Sequence, residues 1–168
     1  GVTRQLQQPF FVLATQNPIE HEGTYPLPEA QLDRFLIKVK MGYPEHEEEV
    51  EVLSRAQLQH PIENIQKVVE IEDILKLQKE VQSIFVNDSM KEYIVLLSNL
   101  TRKHDSTYLG VSPRGSIALM KASQAYALMS GRDYVVPDDI QYLAPFVFAH
   151  RIIMKPEARY SGMSTEDI

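Results

Sequence analysis

The 168-residue chain contains no cysteine, which excludes a disulfide framework and a thiolate metal site. No apolar run approaches the roughly 20 residues that a bilayer span needs, so membrane insertion is not expected. No basic stretch followed by an apolar one opens the chain, which leaves no secretory signal and points to a cytoplasmic location. Gly1-Val2-Thr3, without a Met, points to a start inside a longer protein, and the polar residues 159–168 point to truncation there as well. An excess of positive charge is missing too. Lys and Arg number 17 against 23 Asp and Glu, giving a net charge of −6. The longest basic stretch is Thr101-Arg102-Lys103-His104, so a phosphate-neutralising face for nucleic acid is not expected. The five histidines, His21, His46, His60, His104 and His150, lack metal-site spacing. No internal repeat or low-complexity tract is present.

What is there divides near Tyr43-Pro44. Residues 10–14, Phe-Phe-Val-Leu-Ala, form an apolar run of strand length. Residues 35–41 alternate, with Ile37, Val39 and Met41 set against Lys38 and Lys40, and predict a second strand. Two strands and a short helix opened by Pro28 make no independent core. After Pro44 the pattern is helical. Pro44 suits a first helical position, and Glu45 and Glu47 to Glu49 complement the helix dipole ahead of a stripe of Val50, Leu53 and Ala56. A second helix is predicted from about Ile71. A third opens near Asn87–Ser89, where Ser89 to Glu92 fits a capping box, with Met90, Tyr93, Ile94, Leu97 and Thr101 on one face. A fourth starts at Ser112-Pro113, carries Ala118, Leu119, Ala122, Ala125, Tyr126 and Met129, and ends before Gly131. A fifth opens at Pro137 and carries Ile140, Leu143 and Val147. Pro145 should kink it or end it early. The expectation is a mainly α chain: a small helical bundle over residues 44–168, preceded by a β-rich remnant of an α/β core over residues 1–43.

Three residues could carry chemistry. Asn17 sits at the carboxyl end of the first apolar run, where ligands bind in open α/β sheets. Its amide could hold a water, although Asn-Pro is equally a turn signal. Arg34, in Asp33-Arg34-Phe35, could be half of a surface ion pair or a fork for phosphate oxygens. Arg114 follows Ser112, a good N-cap, and Pro113, a good first helical residue. A cation in that first turn opposes the helix dipole unless it extends into water or meets an anion. Gly115 beside it either permits close backbone approach or loosens the turn.

The strings ATQNP, EGTYPLPEAQLDRF and GVSPRGSIALMKASQAYALMSGRDYVVPDDI occur in this order. Together they resemble the distal half of MoxR-family AAA+ ATPases, over about residues 9–153. The resemblance implies the end of a P-loop core followed by a helical lid domain. It implies that Asn17 is the sensor 1 residue and Arg34 an arginine finger. It also implies that Arg114 is the sensor 2 arginine that contacts the γ-phosphate. Asn17 and Arg114 would then bind nucleotide, and all three would serve catalysis. ATP and Mg²⁺ are the implied cofactors of the whole protein. Rings of about six subunits are the implied assembly, and proteins with von Willebrand factor A domains the implied partners of a chaperone-like activity.

Two departures stand against full activity. The chain has no GxxxxGK[ST] to cradle the β- and γ-phosphates, and no apolar strand ending in Asp-Glu to hold Mg²⁺. Alone it is therefore expected to hydrolyse no ATP and to hold no nucleotide tightly. Two other readings compete. One is another AAA+ of the same clade, such as a magnesium-chelatase-like motor subunit. The other is a non-catalytic helical interaction module.

Overall fold

A computed structural model describes residues 2–16, 27–58, 62 and 65–168. In chain order the elements begin with α1 (Glu29–Leu32), α2 (His46–Leu58), α3 (Ile71–Ser83) and α4 (Asp88–Lys103). Then come β1 (Thr107–Leu109), α5 (Pro113–Met129), α6 (Pro137–Phe148), a 3-10 turn (Ala149–Arg151) and β2 (Ile153–Met154). A short α7 (Pro156–Tyr160) and a second 3-10 turn (Thr165–Asp167) follow. The chain is mainly α, as its helical periodicity predicts.

The bundle is built around α5, which packs on α3, α4 and α6. Its buried face is made of small residues, Ala118, Ala122, Ser123 and Ala127, around a fully buried Leu119. Small side chains let the neighbouring helices approach, and Ile140 and Val147 of α6 and Ile94 of α4 complete the core. A Schellman arrangement closes α5. Gly131 takes φ +72°, its N–H donates to Leu128 O at 2.9 Å, and Arg132 N donates to Ala127 O at 2.9 Å. Met129, counted with the stripe in sequence, is exposed beside this turn.

Helix α4 opens on Asn87, whose Oδ1 accepts from Ser89 N at 3.0 Å, rather than on a capping box at Ser89. Helix α6 continues three residues past Pro145 and then tightens into the 3-10 turn. A proline this close to the end removes only one bond from the final turn.

The sheet lies where the sequence gives little sign of it. β1 and β2 pair antiparallel, with Thr107 opposite Met154 and Leu109 opposite Ile153, a register shift between them.

Both N-terminal strand expectations need correction. Residues 10–14 form no ladder, and Phe11 and Leu13 are exposed. Ile37, Val39 and Met41 are exposed as well, and Lys38 N donates to Phe146 O of α6 at 2.9 Å. A strand exists only through its hydrogen-bonded neighbour, and no such neighbour stands beside either run among the described residues. Helix α2 begins at His46, two residues after Pro44, and its stripe of Val50, Leu53 and Ala56 is exposed.

Candidate functional site

The amino end of α5 is fixed from α4. A Cβ on Gly110 would lie 2.6 Å from the Cα of Arg102, so backbone runs against backbone there. Arg102 Nε donates to Val111 O at 2.7 Å, and Val111 N donates to Thr101 Oγ1 at 3.0 Å. Ser98 Oγ and Ser116 Oγ share a hydrogen bond of 2.8 Å. These bonds hold the loop of residues 110–113 against α4. They thereby set where Arg114 emerges.

Arg114 lies in the first turn of α5 with 62% of its side chain exposed. Its Nη1 is 3.6 Å from Asp33 Oδ2. The unfavourable position of a cation at a helix amino end is thus relieved by a carboxylate, which stands where an anion would be drawn. Asp33 caps the carboxyl end of α1. Its other oxygen, Oδ1, accepts from Arg151 Nε at 3.0 Å. One carboxylate therefore joins two guanidinium groups, one from the start of α5 and one from the turn after α6.

Arg151 is almost fully buried, with 2% of its side chain exposed. Its Nη2 donates to Asp33 O at 3.1 Å and to Phe35 O, and its Nη1 donates to Leu36 O at 3.3 Å and to Val147 O. Burial pushes its pKa down and Asp33 opposes that, but the guanidinium keeps its charge. His150 Nε2 lies 2.8 Å from Arg151 Nη1 and 3.3 Å from Phe35 O. Burial, and then the charge of Arg151, lower the imidazole pKa.

Of the predicted site residues, Arg114 meets the carboxylate of Asp33, the residue before Arg34. Arg34 is exposed, with its N–H on Gln31 O at 3.1 Å, and it makes no ion pair among the described residues. Asn17 lies outside the described residues, as do Glu20 and Glu22. Sequence reasoning passed over Arg151. Its signal is an arginine that, with His150, interrupts the apolar stretch from Phe146 to Ile153, since arginine is seldom fully buried unless paired.

The AAA lid domain family matches residues 99–168, and a family described as "ATPase family associated with various cellular activities (AAA)" matches residues 1–37. The chain is 61% identical to the uncharacterized protein YeaC of Bacillus subtilis over its whole length, covering 52% of that protein. It is 39% identical to the chaperone MoxR1 of Mycobacterium tuberculosis over 99% of the chain and 46% of that protein. The crystal structure of a proposed ATPase from Cytophaga hutchinsonii superimposes with a TM-score of 0.88 at 39% identity, covering 96% of this chain and 52% of that one. These matches relate the chain to the MoxR family of AAA+ ATPases. The chain spans about half the length of the curated relatives it matches.

A MoxR-family protein implies a bound nucleotide with Mg²⁺. The residues at the amino end of α5 fit the nucleotide's phosphate in chemistry, because a half-exposed guanidinium there already takes a carboxylate as partner. They do not extend to the metal. Among the described residues no three acidic, histidine or cysteine side chains converge.

Proposed function

We propose that this chain forms the distal core segment, residues 1–43, and the helical lid, residues 44–168, of a MoxR-type ATPase. In this reading the whole protein couples ATP binding and hydrolysis, with Mg²⁺, to chaperone-like remodelling of partner proteins. The observation that carries it is the pairing of Arg114 with Asp33 at the amino end of α5. A half-free cation held there by an acidic partner can exchange that partner for a γ-phosphate, and the exchange reports nucleotide state to the lid. Arg34, exposed one residue away from Asp33, serves as the finger toward a neighbouring subunit's nucleotide. Asn17 orients the attacking water. Rings of about six subunits supply that neighbour, and proteins with von Willebrand factor A domains are the partner class. The chain alone, without a phosphate-cradling loop, turns over no ATP. The name of the tuberculosis relative, a chaperone, supports the remodelling part of this reading.

The test is made in the whole protein with its own phosphate loop. Arg114→Ala should lower kcat by about 10²-fold while the fold is unchanged. Wild-type turnover in that variant would remove the sensor 2 role. Arg34→Ala subunits mixed with subunits dead in their phosphate loop should regain turnover. Mixtures as inactive as their parts would count against a finger acting across the interface.

A further inference from the structure

We infer that Arg151 is a positioning residue, one that clamps the segment bearing Arg34 onto the carboxyl end of α6. The inference rests on the finger role proposed for Arg34. Arg151 donates to the side chain of Asp33 and to the backbone carbonyls of Asp33, Phe35 and Leu36. These residues bracket Arg34 on both sides.

A buried arginine at a helix end could be satisfied by the last carbonyls of its own helix. Arg151 uses only Val147 O in that way; its Nη1 also lies against His150 Nε2, and its other contacts are all with residues 33–36. Five donors in a rigid plane match this set of acceptors, and a lysine ammonium does not. The arginine stem is walled in as well, because a Cβ on Gly115 would come within 3.0 Å of Arg151 Cδ. The docking continues beyond the clamp through Lys38 N on Phe146 O at 2.9 Å. A planar fork held this way fixes the backbone on both sides of Arg34 and so sets the direction from which that guanidinium leaves the surface. Asp33 extends the arrangement to Arg114. If Arg114 turns to a phosphate, Asp33 keeps its partner in Arg151, and the finger segment stays anchored through the exchange.

The experiment uses the whole protein and the variants Arg151→Lys, Arg34→Ala and the two combined. Arg151→Lys should keep the KM for ATP within about twofold and lower kcat on the order of 10²-fold, because a misplaced group costs rate more than binding. The double variant should be no slower than Arg34→Ala alone, since Arg151 acts through Arg34. Amide exchange at residues 35–38 should rise in Arg151→Lys while α4 and α5 keep their protection. Should Arg151→Lys not fold, Asp33→Asn keeps the carbonyl contacts and should show a smaller loss with the same non-additivity. Unchanged exchange at residues 35–38 overturns the clamp. So does wild-type kcat in Arg151→Lys when Arg34→Ala is impaired, and that result leaves the finger standing. Wild-type kcat in Arg34→Ala overturns the finger reading instead, and the clamp is then decided by the exchange data.

Discussion

Thr101 Oγ1 accepts the backbone N–H of Val111 at 3.0 Å, while its own hydroxyl donates to Ser98 O at 2.7 Å. Both residues are buried, Val111 completely. The loop that opens α5 thus depends on a single hydroxyl for its buried donor. Thr101→Val keeps the shape and removes that acceptor, so Val111 N–H is left in apolar surroundings. The expected cost is about 1–3 kcal/mol, the penalty for an unsatisfied buried donor. A urea titration that left the midpoint at the wild-type value would show that the loop finds another acceptor.

Gly115 separates two opposing effects. An alanine inside a helix normally gains about 0.5–1 kcal/mol over glycine. Here a Cβ would sit 2.4 Å from Val111 Cγ1 and 3.0 Å from Arg151 Cδ. Both neighbours are buried, Val111 completely and the Arg151 side chain to all but 2%, and overpacking of this kind costs about 1–3 kcal/mol. The clash should win, so Gly115→Ala is expected to unfold at lower denaturant than wild type. Gly42→Ala, which meets nothing within 4 Å, serves as the control and should be close to neutral. Equal midpoints for the two variants would contradict the packing at Gly115.

This position also shows what the sequence makes legible. Ser112-Pro113 at one end of α5 and Gly131 at the other mark a helix whose ends the structure reproduces within a residue. The faces of α4 and α5 follow from a period of 3.6, because a core of one bundle selects one stripe from each helix. Strands β1 and β2 are three and two residues long, too short for any period to register. The apolar run of residues 10–14 is legible as a strand by composition, yet its partner is a matter of tertiary contact. Arg114 is legible because its cap and proline announce a helix start. Arg151 is not, because charge in a sequence reads as surface, and its burial is explained by tertiary partners, the Asp33 carboxylate and the carbonyls of residues 33–36.

Arg132 and Asp139 give a third prediction. They form a two-bond pair, Nη1 to Oδ2 at 2.8 Å and Nη2 to Oδ1 at 2.6 Å, and Asp139 Oδ2 also accepts from Val136 N at 3.0 Å. The carboxylate therefore both ties the α5 terminus to α6 and satisfies a donor at the start of α6. Asp139→Ala removes both functions and should cost about 2–3 kcal/mol. Asp139→Asn keeps an acceptor for Val136 N and should cost less. Thermal melts that ranked the two variants in the reverse order would argue against the capping role.

His150 makes stability depend on pH with a definite sign. Its imidazole is half-buried, and the groups that face it are Arg151, Lys38 and the carbonyls of Phe35 and Phe146. Burial and the two cations lower its pKa in the folded state, against weaker opposition from the carbonyls. The unfolded imidazole then binds its proton first as the pH falls. Above about pH 6.5, the ordinary imidazole value, both states are neutral and the full stability is present. Below it the unfolded state gains protons that the folded state lacks, so stability declines until the folded pKa is passed. Protonation in place would also put a second positive charge beside Arg151, whose Nη1 lies 2.8 Å from His150 Nε2. Urea midpoints measured near pH 7.5 and pH 5.5 should therefore fall on acidification, and His150→Gln should reduce that fall. A variant with the same pH slope as wild type would assign the effect to other groups.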